Sequence, residues 1–373
     1  MSYLFFLFVG CVCFQIIYQL ALTTAILIYK QNKNINTSPK SVSIIICAKN
    51  EAKNLEANLP FILQQNYVDF EIIIVDDGSD IPIYLEHPKI KIIRIETAEK
   101  IGIGKKYALH RGIEMAKNEW ILLTDADCKP HSQNWITEMT LSIKENHKIV
   151  LGVSPYQINQ TFLNQFIGYE TALTALQYIG FALLKNPYMS VGRNVLYASN
   201  LIKQKKWNNF ELSVASGDDD LMLQSLATPE NTTVCLTLES YTYSEAKKNW
   251  MEYCKQKIRH YESGNLYKRN HRFFLGGFIL SKFLMYLSLI FLGFLFYNQY
   301  SILFIPYSYK LLVCLMIFYI VYIFCISTSN FILQKKMRLN KDWYFSFVHD
   351  IIYCFFTVIF GCISLLKPTK NWK

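Results

Sequence analysis

The chain has 373 residues and a formal net charge of +10, and 52% of its residues are hydrophobic. That length allows roughly two domains, and the apolar residues collect at the two ends of the chain. The ten cysteines show no metal-ligand spacing, which argues against a zinc-type module and favours free thiols in a reducing compartment.

The N-terminal segment Tyr3–Tyr29 contains no charged side chain. It exceeds the run of about 20 apolar residues that crosses a bilayer. No basic stretch precedes it, and it is longer than the core of a signal peptide. The sequence therefore predicts a retained transmembrane anchor over residues 1–30 rather than a cleaved signal.

Strands alternate with helices over residues 41–245. Strands are predicted at 41–48, 70–75, 90–95, 120–124, 149–153, 195–198 and 233–238, and helices at 54–65 and 107–117. Pro60 should kink or split the first of these helices. The alternation predicts an α/β domain with a mostly parallel, doubly wound sheet.

The apolar run that starts at Trp120 ends in Asp125-Ala126-Asp127. Ligands bind at the carboxyl ends of strands in open α/β sheets. Two carboxylates placed there suit a hard divalent cation and a phosphate-bearing ligand. On these residues alone, an ordinary solvated turn explains the pattern equally well.

A second strand also ends in acids, at Asp76 and Asp77. Acids at such turns can be simple caps for the following helix. Two acid-tipped strands in one sheet nevertheless favour a ligand site. There Asp76 or Asp77 would accept hydrogen bonds from a base or ribose, and Asp125 and Asp127 would face a metal-bound diphosphate.

The segment Ile101–Lys106 resembles a phosphate loop only in part. Glu99 stands where the first glycine belongs, and Lys106 replaces the required Ser or Thr. A P-loop is therefore not predicted. Lys105 remains a candidate for binding a phosphate as a point charge, although a solvated lysine is the alternative.

Three adjacent carboxylates follow Gly217, at Asp218, Asp219 and Asp220. Such a cluster costs free energy unless a cation or a function offsets the repulsion. A helix N-terminus that favours anions is the alternative explanation. Beside a metal–diphosphate site, a general base becomes the better interpretation.

The segment 246–272 mixes aromatic and basic residues and directly precedes an apolar region, so it is predicted to lie on an anionic membrane surface. The C-terminal region 273–373 holds three apolar segments, at 273–296, 302–327 and 344–366. Two or three of them are expected to span. His349 and Asp350 make the last one the first candidate for an interfacial helix, and both are expected to pair with neighbouring helices.

Basic residues set the predicted orientation. They follow the first apolar segment and lie between the last two, at Lys30, Lys33, Lys40, Lys335, Lys336, Arg338 and Lys341. The positive-inside rule then places the middle domain in the cytoplasm of a multi-pass protein of the cell (inner) membrane. The tail lysines Lys367, Lys370 and Lys373 would lie outside if all late segments cross, which conflicts with that rule. The predicted partners are membrane lipids, not nucleic acid.

Several motifs, taken in order, resemble those of the membrane-bound family-2 glycosyltransferases, the group of the cellulose, chitin and hyaluronan synthases and many smaller bacterial enzymes. The motifs are S-I-I-I-C-A-K-N-E, V-D-D-G-S, K-K-Y-A-L-H-R-G-I, T-D-A-D, G-R-N, G-D-D-D-L and Q-K-I-R-H. The resemblance covers about Val42 to Arg272 together with the flanking apolar segments.

The resemblance implies a GT-A type nucleotide-diphospho-sugar transferase fold and a nucleotide-diphospho-sugar donor. It assigns donor binding to Asn50, Glu51, Asp76, Asp77, Lys105 and Asp125. It assigns Mg²⁺ or Mn²⁺ to Asp127 with Asp125, and makes Asp219 the catalytic base, with Asp218 and Asp220 as alternates. The acceptor and diphosphate side would be Gly192, Arg193, Asn194, Gln256, Arg259 and His260. His260 stands where many members of the family have Trp, which leaves open whether the enzyme is processive.

The expected function is an inverting, metal-dependent transfer to a lipid-linked or growing glycan acceptor in envelope polysaccharide or glycoconjugate assembly. The alternatives are a processive polysaccharide synthase and, in another class, a catalytically inactive membrane scaffold. A processive synthase needs a channel for its polysaccharide, and the few predicted spans are not enough to form one within a single chain. In the processive case, a homo-oligomer or a membrane partner is therefore also expected.

Overall fold

The computed structural model describes residues 2–31, 39–157, 160–300, 306–339 and 343–366. The strands are β1 (Val42–Ala48), β2 (Phe70–Asp76), β3 (Ile90–Arg94), β4 (Trp120–Asp125), β5 (Lys129–Pro130), β6 (Ile149–Leu151), β7 (Tyr156–Gln157), β8 (Val195–Ala198), β9 (Thr232–Val234) and β10 (Thr242–Glu245). Lys33, Lys341 and the three tail lysines used for the predicted orientation lie outside the described residues.

The helices are α1 (Ser2–Ile28), α2 (Ala52–Leu63), α3 (Lys106–Met115), α4 (Trp135–Leu141), α5 (Phe162–Leu183), α6 (Ser199–Ile202), α7 (Asn209–Leu212), α8 (Asp220–Leu226), α9 (Trp250–Gly264), α10 (Arg269–Tyr300), α11 (Pro306–Met337) and α12 (Ser346–Leu366). Three short 3₁₀ turns lie at Thr97–Glu99, Leu238–Ser240 and Trp343–Phe345.

A seven-stranded sheet with the order β3-β2-β1-β4-β8-β6-β9 forms the centre of the fold. β1, β2, β3 and β4 are parallel, and β8 runs antiparallel to both of its neighbours. The predicted mostly parallel α/β sheet is thus present, with one reversed strand. β5, β10 and β7 form a small second sheet.

Continuous apolar strands explain the layering. In β1, Ile44 and Ile46 enter the core on one face of the sheet, while Ile45 and Cys47 enter the core on the other. Strands that are apolar on both faces need cover on both sides. α2 and α4 supply residues to one core, and α3 and α5 supply residues to the other.

Helix α2 continues through Pro60, so the helix is not split there, which was one of the two outcomes that its sequence predicts. It buries Leu55, Leu59 and Ile62 against the sheet. Pro60 faces solvent on the opposite side. Water can therefore replace the missing backbone hydrogen bond, and the buried face keeps the helix together.

Among the described residues, four helices are long and apolar enough to cross a membrane: Ser2–Ile28, Arg269–Asn298, Lys310–Met337 and Ser346–Leu366. α1 packs against α10 and α11, and these long apolar helices share a third apolar core with α12. α5 is a further buried helix, which the sequence analysis does not predict, and it packs between the sheet and α1.

Buried polar groups connect these helices, and Asp350 contacts neighbouring helices as the sequence predicts. Asp350 of α12 forms an ion pair with Lys282 of α10. It also accepts hydrogen bonds from Tyr169, Tyr286 and Tyr322, at 2.6, 2.7 and 2.5 Å. Because Tyr169 belongs to α5, the cluster connects the α/β domain to α10, α11 and α12.

The basic segment before α10 is not simply a surface segment. Its helix α9 packs against α12, and Lys257 forms a 2.6 Å ion pair with the buried Glu170 of α5. Part of the charge that predicts a membrane surface is thus used inside the protein.

Candidate active site

The strand register brings the acidic residues to one edge of the sheet. Ala48 pairs with Asp76, and Cys47 pairs with Asp125 on the other side of β1. Because these strands are parallel, their carboxyl ends meet at the same edge. The two acid-tipped strands are therefore separated only by β1.

The turn after β2 is held together by its own side chains. The Asp76 carboxylate accepts hydrogen bonds from the Ser79 and Ile83 amides and pairs with Arg94 at 2.8 Å. Burial opposes ionisation of Asp76, but these donors outweigh it and lower its pKa. Asp77 forms an ion pair with Lys100. Both acids are buried, and Asp76 is committed to structure.

Asn50, which follows β1, forms hydrogen bonds with this turn. Its backbone has φ of 57°, a left-handed conformation that Asn tolerates better than most residues. Its amide group donates to the Asp80 carboxylate at 3.0 Å and accepts from the Asp80 amide at 2.9 Å. Asn50 thus shapes the turn after β2 by local hydrogen bonds.

A lysine connects the other two acidic clusters. Lys105 Nζ lies 2.6 Å from Asp125 Oδ1 and 3.2 Å from Asp218 Oδ2. Burial disfavours the charged lysine, yet Asp125 and Asp218 raise its pKa well above the usual value. The same contacts lower the pKa of Asp218 despite its burial. Lys105 is a fixed internal cation at the centre of the site.

The three aspartates of the acidic loop have different environments. Asp219 accepts hydrogen bonds from the Gly192 amide at 2.7 Å and from the Asp220 amide at 2.9 Å. Burial, followed by repulsion from Asp218, raises the pKa of Asp219 to about 6. Asp220 accepts from the Tyr267 hydroxyl, and burial raises its pKa well above the usual value.

Gly192 allows the close approach to Asp219. A Cβ at this position would lie 3.2 Å from the Asp219 Cβ, tighter than ordinary van der Waals contact. The neighbouring Arg193 lies 4.3 Å over the Tyr156 ring and donates to Ser244 Oγ. Asn194 is buried behind the site, where its side chain bonds to Trp135, Val153 and Ser240.

One cavity of about 1460 Å³ contains most of these groups. Predicted site residues in its wall are Glu51, Lys105, Asp125, Asp127, Gly192, Arg193, Asp218, Asp219, Asp220, Gln256, Arg259 and His260. Asn50, Asp76, Asp77 and Asn194 do not line it. The structure thus brings the two downstream acidic clusters together and leaves the first one outside this wall.

α9 contributes to the cavity from the side of the long apolar helices. Gln256 Nε2 lies 3.4 Å from the Tyr156 hydroxyl, and the Arg259 carbonyl accepts a hydrogen bond from Ser216 Oγ. Ser216 precedes the acidic loop, so α9 and that loop are directly connected. The Q-x-x-R remnant therefore faces the same space as Asp219.

Two charged side chains at the site, those of Glu170 and Lys106, are not predicted from the sequence as functional residues. Glu170 of α5, with its partners Lys257 and Tyr253, forms part of the cavity region. Lys106 is fully buried, and its Nζ donates to the carbonyls of Val214 and Ser216 at 2.8 and 2.5 Å. Glu170 is a single acidic residue within an apolar run, and this pattern could have identified it as a buried functional residue. Nothing in the sequence distinguishes Lys106 from Lys105.

Replacing Lys106 by Met is expected to disorder the acidic loop. The methionine side chain is one atom shorter and carries no donor, so two buried carbonyls lose their hydrogen bond, at a cost of about 1–3 kcal/mol. Loss of a positive charge near Asp218 and Asp219 should also move the acidic limb of the pH–rate profile to higher pH. Thermal unfolding in detergent and kcat/KM against pH measure the two effects.

Lys203→Met is the charge-loss control, because Lys203 Nζ also donates to a backbone carbonyl, that of Ala116 at 2.8 Å, but the residue is exposed and lies away from the cavity. Water can replace its hydrogen bond, so this variant should lose little stability and keep the wild-type pH profile. Equal profiles for the two variants would contradict a positioning role for Lys106.

The carboxylates at the end of β4 suit a divalent cation. Burial and the charge of Asp125 raise the pKa of Asp127, and a bound cation would relieve that repulsion. Among the described residues no group of three or more His, Cys, Asp or Glu side chains forms a complete metal site. A two-carboxylate site fits a cation that takes its remaining ligands from water and phosphate oxygens.

Comparison with known proteins identifies the class of fold. The mannosyltransferase PcManGT from Pyrobaculum calidifontis, solved in complex with GDP-Man and Mn²⁺, aligns over 92% of this chain and 99% of its own, with a TM-score of 0.52 and 14% identity. The α/β fold is thus that of the GT-A glycosyltransferases, as the motifs imply.

Residues 43–204 match the family described as Glycosyl transferase family 2, and this part of the chain is a family 2 glycosyltransferase domain. A 4,4'-diaponeurosporenoate glycosyltransferase of Staphylococcus aureus (strain bovine RF122 / ET3-1) is 28% identical over 170 residues, covering 44% of this chain and 40% of that protein. An uncharacterized glycosyltransferase of Haemophilus influenzae is 27% identical over 158 residues, covering 40% of this chain and 44% of that protein. The matches thus span less than half of either relative. The family match confirms the resemblance to family 2 glycosyltransferases that the motifs predict.

Proposed function

We propose that the protein is a membrane-bound, metal-dependent, inverting glycosyltransferase that uses a nucleotide-diphospho-sugar donor. The observation that carries this proposal is the position of Asp219. Its carboxylate, with a pKa raised to about 6, lines the same cavity as Asp125 and Asp127. A base and a diphosphate site that share one cavity are the two requirements of a single displacement.

The chain's own residues divide the work. Asp219 takes the proton from the acceptor hydroxyl, which attacks the anomeric carbon as the bond from that carbon to the donor phosphate breaks. Lys105 and Arg259 supply positive charge for the departing nucleoside diphosphate. A Mg²⁺ or Mn²⁺ ion held by Asp125 and Asp127 would, when bound, neutralise charge on that diphosphate. Asp218 is paired with Lys105, Asp220 is bonded to Tyr267, and Glu170 is paired with Lys257. Asp219 therefore acts alone as the base, and a single displacement inverts the anomeric centre.

The donor side has support from the comparisons as well as from the cavity. The structural relative was solved with GDP-Man and Mn²⁺, and a donor of the same chemical class suits the carboxylates and lysine of this site. Glu51 lies in the cavity wall. Asn50, Asp76 and Asp77 shape the adjoining turn, in which we place the nucleoside.

The acceptor side is assigned to the membrane. Four apolar helices would hold the α/β domain at the cytoplasmic face of the cell membrane. A lipid-linked or growing glycan acceptor in envelope assembly fits that location. A scaffold without activity would have no need to keep three aspartates and two further carboxylates in one cavity.

A screen of nucleotide sugars with the full-length protein in membranes tests this function. We expect nucleotide release from at least one donor that needs Mg²⁺ or Mn²⁺ and stops when the metal is chelated. Release that survives chelation would contradict the metal assignment. Absence of release from every donor would leave the scaffold as the function.

A further inference from the structure

The cavity does not end at the catalytic carboxylates. It continues along one face of α10, with Leu275, Gly276 and Ile279, and along one face of α12, with Val358, Gly361 and Leu365. Positions three or four apart share one side of a helix. The two facing apolar stripes therefore form a groove between membrane helices that opens into the space containing Asp219.

The groove has free space at both of its glycines. A Cβ added at Gly276 or at Gly361 would meet nothing within 4 Å. Leu365 is 63% exposed and the nearby Leu280 is 57% exposed. An apolar channel of this kind is stable in a lipid environment, where its walls meet hydrocarbon instead of water.

The length of the groove suits an extended hydrocarbon chain. On α10 the cavity is lined from Arg272 to Phe283, a rise of about 16 Å at 1.5 Å per residue. That is about half of the 30 Å hydrocarbon core of a bilayer. A growing glycan, which needs hydrogen-bond partners along its length, fits apolar walls poorly.

The same cavity also has a polar and charged part. Arg272 and Arg259 line it together with the acidic loop, and Thr171 and Thr174 of α5 belong to its wall. An amphiphile would thus have its chain between α10 and α12 and its head beside Asp219. A cavity that is apolar in one part and charged in another favours an amphiphile over a uniformly polar molecule.

We propose that the acceptor is a long-chain lipid whose hydrocarbon chain lies between α10 and α12 and whose head hydroxyl reaches Asp219. This inference rests on the proposed function. In the transfer, the hydroxyl proton passes to Asp219, and the hydroxyl oxygen bonds to the anomeric carbon. The bond from that carbon to the donor phosphate oxygen breaks, and the nucleoside diphosphate leaves with the electron pair.

Filling the groove tests the proposal. Gly276→Phe and Gly361→Phe place a ring in the open space, whereas Gly293→Phe adds the same ring to α10 outside the cavity, where a Cβ also meets nothing within 4 Å. Labelled donor sugar is supplied to membranes of expressing cells, and the label in the organic-extractable lipid is counted. Nucleotide release by hydrolysis, without acceptor, is measured in parallel on purified protein.

The two blocking variants should lose at least about tenfold in lipid labelling while hydrolysis stays unchanged, and Gly293→Phe should match the wild type in both. Lipid labelling at wild-type level in the blocking variants overturns the proposal, and so does label found only in water-soluble product. A wild type that hydrolyses no donor overturns the proposed function instead.

A second measurement does not depend on folding of the blocking variants. Cys362 is exposed and lines the groove, while Cys13 and Cys314 are exposed outside it. Alkylation of the folded wild type with a bulky maleimide should abolish lipid labelling. The same treatment should leave lipid labelling by the Cys362→Ser variant unchanged. Equal sensitivity of the two proteins would contradict a lipid chain at this position.

Discussion

Replacing Asp219 by Asn is expected to lower sugar transfer by about 10²–10⁴-fold, because the amide cannot take the acceptor proton. The single amide oxygen of the variant can still accept from the Gly192 amide but no longer also from the Asp220 amide. The loop should therefore lose about 1 kcal/mol of stability, while the donor affinity is preserved. Transfer is measured at saturating donor, and donor affinity is measured by binding of the nucleotide sugar.

Asp220→Asn is the control within the same loop. Burial favours the neutral form of Asp220, so an amide is a close substitute for its carboxyl group, and most of the activity should remain. Near-wild-type transfer by Asp219→Asn together with a large loss in Asp220→Asn would assign the base to Asp220 instead.

The pH profile reports the same group. The base must be ionised, and the pKa of Asp219 is raised to about 6. Thus kcat/KM should be constant above that pH and fall about tenfold per pH unit below it. The residual activity of Asp219→Asn should lack this inflection. A flat wild-type profile between pH 5 and 8 would contradict Asp219 as the base.

Replacing Asp127 by Asn is expected to reduce transfer by about 10²–10³-fold, through loss of charge stabilisation at the diphosphate. Binding of Mn²⁺, followed by its paramagnetic resonance signal, should weaken in parallel. Because burial and Asp125 raise the pKa of Asp127, the neutral amide removes a repulsion. The unfolding temperature should therefore not fall.

Asp69→Asn is the matched control, since Asp69 is exposed and lies outside the cavity. It should leave transfer and Mn²⁺ binding unchanged. If Asp127→Asn binds Mn²⁺ as tightly as the wild type, Asp127 is not a metal ligand.

Local sequence patterns predict the sheet and its acidic edge. Runs such as Ile44–Ile46 are apolar on both faces, and parallel strands necessarily bring Asp76 and Asp125 to one edge. Both features depend only on neighbouring residues and on strand direction. This explains why the central strands and the carboxylates at their ends are expected from the sequence.

The contacts within the site could not be predicted in the same way. Lys105 joins Asp125 to Asp218, and no local pattern shows that three segments so far apart will meet. Lys106 faces the carbonyls of the acidic loop only because α3 begins at that residue. The extension of the cavity to α12 depends on packing between residues that are more than 100 positions apart in the chain.

The buried pair of Lys282 and Asp350 has a consequence for biosynthesis. Each charge alone in a bilayer costs about 3 kcal/mol on insertion scales, and the two residues lie 68 positions apart. α10 would thus leave the ribosome well before its counter-charge is synthesised. If the helices lie in the membrane as proposed, a chain truncated after α11 contains Lys282 but not Asp350. Quality-control proteases should degrade this truncated chain faster than the full-length protein.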